Sequence, residues 1–129
     1  MGIDTYFDGQ LMYAPLKITY KNKTKVIDKL VVDTGAAKTF ISVDAVRDIE
    51  LYYDEEDIIT TVFGVGGPDN SFQKAVENIS FGSKNFHKYT IDFGTFQGEY
   101  DINGLIGLDL LRDAKILIDL DNMIITEVE

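Results

Sequence analysis

Short runs of alternating apolar and polar residues, each closed by a turn signal, recur along this chain and restrict it to a mainly β architecture. Leu16-Lys17-Ile18-Thr19-Tyr20 alternates as a half-buried strand does. Lys21-Asn22-Lys23 supplies a hairpin turn, and Val26 to Val32 forms a second strand ending in the apolar pair Val31-Val32. Phe40-Ile41 reads as a short strand. Ser42 then caps a short helix over Val43-Asp44-Ala45-Val46-Arg47-Asp48. From Ile58 to Val76, β-branched and aromatic residues flank Gly64-Val65-Gly66-Gly67-Pro68, the pattern of a hairpin with a glycine-rich tip. Strand character continues through Ile79-Ser80-Phe81 and Phe86 to Phe93. Near the end, the buried run Gly104-Leu105-Ile106-Gly107 precedes a helical segment, Leu108 to Asp113. Two strands, Ile116 to Leu120 and Met123 to Val128, follow around the turn pair Asp121-Asn122. The expectation is an all-β fold with one or two short helices.

The 129 residues contain no Pro/Gly/Ser linker and no internal repeat, so one domain over 1–129 is expected. Residues 1–13 read as a flexible or dimer-contributing N-terminal segment. With 45% hydrophobic and 26% charged residues, the chain can bury a core without staples. It has no cysteine, which excludes disulfides, thiol nucleophiles and cysteine-ligated zinc and is compatible with a reducing cytoplasm. No basic region followed by an apolar run opens the chain, so no secretory signal is expected. Tyr6 stands where a myristoylation motif wants Ser or Thr. No apolar run approaches the ~20 residues of a membrane span. Asn22-Lys23-Thr24 and Asn78-Ile79-Ser80 are read as chance glycosylation matches. A net charge of −10 repels nucleic acid and anionic membranes, and favours a neutral or basic peptide if the substrate is a peptide. The densest acidic run, Asp54-Glu55-Glu56-Asp57, reads as a solvated loop or helix start.

Asp33-Thr34-Gly35 carries the chemistry. A carboxylate directly after Val31-Val32 sits where a buried strand ends. Glycine two positions on permits a sharp turn and close approach. Two such carboxylates held together cannot both ionise cheaply, so they share a proton; the pair can activate water as a base and protonate a carbonyl as an acid. Alone, the string also fits a structural loop in which Asp33 caps nearby amides. Its surroundings raise its value: Ala36, the Phe40-Ile41 strand, a hairpin that could close over a substrate, and Leu105-Ile106-Gly107 with its helix. His87 is the only histidine and has no partners at ligand spacing, so no metal and no cofactor are expected. Tyr89, Phe93, Phe96 and Tyr100 read as packing residues.

In this order, Asp33-Thr34-Gly35-Ala36, Val62-Phe63-Gly64-Val65-Gly66-Gly67 and Leu105-Ile106-Gly107 resemble the retropepsins, the single-domain retroviral-type aspartic proteases, and most closely their bacterial branch. The resemblance covers roughly Leu16 to Val128. It implies a closed, mainly β acid-protease fold in which each chain supplies one aspartate, so that a working dyad needs a homodimer. It implies Asp33 as the catalytic carboxylate, Thr34 locking two loops across the axis, and Gly35 against the substrate. Ala36 and Phe63 to Gly67 would contact the bound peptide, with Leu105, Ile106 and Gly107 as structural support. Ala36 brings no hydroxyl to stabilise an ionised carboxylate, so activity is expected at mildly acidic to near-neutral pH. Retroviral members place an Asp after Asp-Thr-Gly-Ala and an Arg after the apolar-apolar-glycine motif, and the two form dimer-supporting ion pairs. Here Ala37 and Leu108 stand in those places, so that scheme is absent. The alternative is a peptide-binding or assembly module that holds an extended strand under the same hairpin without cleaving it.

Overall fold

The structure is a computed structural model that describes residues 2–64, 67–95 and 101–128, with the backbone alone over 61–64 and 67–70. Its strands are β1 (Gly2–Ile3), β2 (Tyr6–Phe7), β3 (Met12–Tyr20), β4 (Lys23–Val32), β5 (Phe40–Ser42), β6 (Ile58–Gly64), β7 (Gly67–Phe81), β8 (Lys84–Gly94), β9 (Gly104–Ile106), β10 (Ile116–Asp119) and β11 (Ile124–Glu127). A short helix α1 (Val43–Val46) leads into a 3-10 turn (Arg47–Ile49), and α2 spans Leu108–Asp113.

The main sheet runs β2-β3-β4-β9-β5-β8-β7-β6. It closes on itself because β3 also pairs with β7, with Ile18 opposite Ile79. The expected closed all-β architecture with short helices is what the chain adopts. Closure leaves a single apolar interior, where Leu16, Ile18, Ile27, Leu30, Ile41, Ile79, Phe81, Ile91 and Phe93 are buried. Each such side chain contributes about 1.5–3 kcal/mol relative to exposure. A second sheet, β1-β11-β10, joins the two ends of the described chain, pairing Gly2 with Thr126 and Ile3 with Ile125.

The β3–β4 hairpin turns on Lys21 and Asn22, both at positive φ (48° and 67°), with Tyr20 opposite Lys23. Two left-handed residues make the tight turn whose twist matches the flanking strands. β3 begins at Met12, four residues before the alternation becomes regular at Leu16. The reason is Pro15. The pairing jumps from Ala14↔Leu30 to Leu16↔Ile27, so Pro15 faces the two residues Asp28 and Lys29 at a bulge, where its missing N–H costs no ladder bond. Lys29 takes a φ of 55° there, and the Asn103 side chain donates to the carbonyl of Asp28 at 2.9 Å. α1 starts as its sequence suggests, with Asp44 N–H donating to the Ser42 hydroxyl at 3.3 Å.

Only part of the acidic run is a solvated loop. Glu55 and Glu56 are exposed, but Asp57 forms an ion pair with Lys74 at 2.8 Å, with side chains only 12% and 9% exposed. The Lys74 ammonium also lies 5.6 Å from the Tyr20 ring centre. This cluster fastens the base of the β6–β7 hairpin to the barrel. The pairing joins residues on different strands, so charge density along the chain could not reveal it.

Candidate active site

The site is built around β9. This strand inserts between β4 and β5, parallel to the first (Val31↔Leu105, Val32↔Ile106) and antiparallel to the second (Phe40↔Leu105). The connection from β4 to β5 must therefore pass over the end of β9, and this connection is the loop carrying Asp33-Thr34-Gly35-Ala36.

Backbone bonds from the 106–109 segment hold the loop along its length. Asp33 N–H donates to the Ile106 carbonyl at 3.0 Å. Leu108 N–H donates to Ala36 O at 2.7 Å, and Asp109 N–H to Ala37 O at 3.3 Å. Within the loop, Ala36 N–H donates to Asp33 O at 3.2 Å. The Asp33 carboxylate is half-buried, and its Oδ1 accepts the Gly35 N–H at 2.9 Å. Gly35 serves close approach: a Cβ there would stand 3.2 Å from Asp33 Oδ1, so the carboxylate would have to give by a few tenths of an ångström. Thr34, Gly35, Ala37 and Leu108 are exposed on the open side of the loop.

One continuous cross-strand row leads to this loop. Tyr6, Tyr13, Val31, Leu105, Phe40, Asp92, Gln73 and Ile58 are partners in turn across the whole sheet. Register partners share a face. Asp33 follows Val31 by two residues, the strand repeat, so this row lies on its side of the sheet. The row is apolar beneath the loop and becomes polar at Asp92 and Gln73.

Three contributors escape the sequence reading. Thr39 is fully buried; its N–H and hydroxyl both donate to Asp109 Oδ1, at 2.9 and 2.8 Å, and its hydroxyl accepts Gly107 N–H at 3.1 Å. Asp109 Oδ1 also accepts Leu110 N–H at 2.7 Å. An acid in the first turn of a helix is commonplace, so Asp109 carried no distinguishing signal. Asp92 is buried at 6% exposure. Burial pushes its carboxyl above the ordinary range, and Asp109 adds to this; a hydrogen bond with Gln73 and the charge of Lys38 oppose it.

The sign of that shift makes a prediction. A carboxyl whose folded-state pKa is raised contributes most to stability below its ordinary pKa, and this contribution is lost as pH rises through the elevated value. Asp92→Asn is therefore expected to melt at a higher temperature than wild type at neutral pH, with the gap narrowing as pH falls toward about 4. Equal melting temperatures at neutral pH would contradict the assignment.

The structure thus brings Asp33, Thr34, Gly35 and Ala36 together with Leu105, Ile106 and Gly107. Phe63, Gly64 and Gly67 lie on the β6–β7 hairpin, paired as Phe63↔Pro68 and Gly64↔Gly67. This hairpin stands in the same sheet, with β5 and β8 between it and β9. Val65 and Gly66, expected over the peptide, lie outside the described residues, as do Phe96 and Tyr100. His87 is exposed on β8 opposite Asn78. Among the described residues, no group of three or more His, Asp or Glu side chains is placed to hold a metal ion. No helix among them is long and apolar enough to cross a membrane.

The family model described as an aspartyl protease matches residues 15–110, from β3 into α2. None of the curated proteins matches the chain.

Proposed function

This chain belongs to the aspartyl protease family, and we propose that it is an endopeptidase of the bacterial retropepsin type whose active site forms when two copies each contribute Asp33. The observation that carries this reading is the single Asp33 loop, clasped by 106–109 with its carboxylate half-exposed at the head. Brought together, two such carboxyls share one proton. One takes a proton from the attacking water while the other protonates the peptide carbonyl. Gly35 steadies the carboxylate through its N–H, and Leu105, Ile106 and Gly107 support the loop. Thr34, exposed beside Asp33, would meet its counterpart across the axis. Ala36 and the hairpin residues Phe63, Gly64, Val65, Gly66 and Gly67 would cover an extended peptide, whose side chains meet the apolar row beneath the loop. A cytoplasmic setting and activity at mildly acidic to near-neutral pH complete the reading.

Association is the demanding step, because each copy carries a net charge of −10. Leu108 is 41% exposed and its N–H is bonded to Ala36, so it sits beside the catalytic loop with an apolar side chain facing out. With Leu108 and Ala37 uncharged, attraction at this place is apolar and the long-range term is repulsive. Salt screens that repulsion, so the dimer is expected to tighten as salt is added. Leu108→Glu adds a like charge near the axis and should weaken association at least tenfold, on the order of 1.4 kcal/mol or more. Sedimentation across concentration at low and high salt measures both effects. Peptide cleavage per mole of chain should rise with concentration over the same range. A chain that stays monomeric with peptide bound, and cleaves nothing, would instead favour the peptide-binding module.

A further inference from the structure

We propose that Asp109 is a positioning residue for Asp33, acting through Thr39 and requiring an acceptor oxygen rather than a charge. The inference rests on the reading of Asp33 as the catalytic carboxylate, and deepens it.

The loop from Asp33 to Thr39 has two ends to secure. The near end is held by the backbone, Asp33 N–H to Ile106 O at 3.0 Å. The far end is held by a side chain. Asp109 Oδ1 receives the N–H and the hydroxyl of Thr39, and the Thr39 hydroxyl in turn accepts Gly107 N–H. Thr39 O accepts Asp92 N–H at 3.3 Å, so the same residue also ties the loop to β8. Thr39 has no exposed surface, so water cannot replace these bonds without the loop opening. Asp109 N–H reaches Ala37 O from the same residue. One residue at the start of α2 therefore controls the span between Ala37 and Thr39. Five residues separate Asp33 from Thr39, too few for the head of the loop to keep its place when the far end slips.

All three side-chain bonds of Asp109 converge on one oxygen. Asparagine presents an acceptor oxygen on the same frame; alanine presents none. A role dependent on charge would fail in the asparagine variant, and a role dependent on bulk alone would survive the loss of the hydroxyl from Thr39.

The test compares Asp109→Ala, Asp109→Asn and Thr39→Val in the full chain, using a quenched fluorescent peptide chosen from a library cleaved by wild type. A misplacement of about 1 Å costs on the order of 100-fold in rate. Asp109→Ala is expected to lower kcat by about 10- to 100-fold, with KM changed less than about twofold. Thr39→Val should fall between it and wild type, and Asp109→Asn should match wild type within about twofold in both constants. Hydrogen exchange at the amides of residues 33–39 gives a readout that needs no activity: exchange should quicken at least tenfold in Asp109→Ala and stay unchanged in Asp109→Asn. If Asp109→Ala does not fold, Thr39→Val carries both measurements. Unchanged kcat in folded Asp109→Ala, or an asparagine variant as impaired as the alanine one, overturns the proposal. Should wild type cleave no peptide, the reading of Asp33 fails, and loop exchange still decides whether Asp109 holds the loop.

Discussion

Replacing Asp33 with asparagine is expected to lower peptide cleavage by about 10,000-fold or more while leaving the fold intact. The variant side chain has the same shape. Its amide oxygen can still accept the Gly35 N–H, which Asp33 Oδ1 receives at 2.9 Å. The backbone bonds from Ile106 and Leu108 do not involve the side chain. Thermal unfolding should therefore match wild type. What disappears is the proton: an amide can neither take one from water nor give one to a carbonyl. The proposed two-copy site adds a sharper expectation. Mixed dimers carry only one carboxyl, so the variant should poison wild type. At a ninefold excess of variant, random pairing leaves about one wild-type chain in ten with a wild-type partner, and activity should fall about tenfold. Wild-type activity that is indifferent to added variant would mean that one chain is sufficient.

Gly107→Ala is expected to destabilise the fold strongly. A Cβ at Gly107 would overlap the carbonyl carbon of Lys38, with Lys38 O at 2.5 Å and Thr39 N at 2.8 Å. All three are backbone atoms of the loop, so no rotamer change can relieve the clash. The loop must move away from β9, which also strains the bond from Gly107 N–H to Thr39. Overpacking of this kind costs about 3 kcal/mol or more. In a chain of 129 residues that corresponds to a fall in melting temperature of roughly 10 °C. Cleavage should fall further than the loss of folded chain explains, because the displaced segment carries Asp33. Calorimetry and single-temperature kinetics on the folded fraction separate the two. A variant that melts with wild type would show that the close approach at Gly107 is absent.

The strands were legible wherever side chains alternate over several residues, as in Leu16–Tyr20, because a half-buried sheet imposes a period of two. The Asp33 loop was legible because its residues are consecutive and bond one another locally, Gly35 N–H and Ala36 N–H both reaching oxygens of Asp33. β1 and β2 were not, since two-residue strands carry no period and β1 finds its partner in β11, at the other end of the described chain. Met12 to Pro15 was missed because proline reads as an interruption until a bulge is known to face it. Asp109 and Thr39 lie 70 positions apart, and Asp57 and Lys74 stand on opposite sides of a hairpin tip. Each of these residues has an ordinary local environment, and only the path of the chain through space joins them. Asp92 shows no irregularity in its own strand either; it is conspicuous because closure of the barrel buries it.

The insertion of β9 between β4 and β5 has a consequence for the order of events in synthesis. β4 and β5 are made early, yet neither can pair with its neighbour at the site until Gly104–Ile106 arrives some sixty residues later than Ser42. Closing so long a loop is entropically slow. A growing chain therefore carries Asp33 on a segment without a clasp until Gly104–Ile106 have been made. Under the proposed reading, proteolytic competence is withheld until Gly104–Ile106 have emerged, so a product truncated before them would be inert.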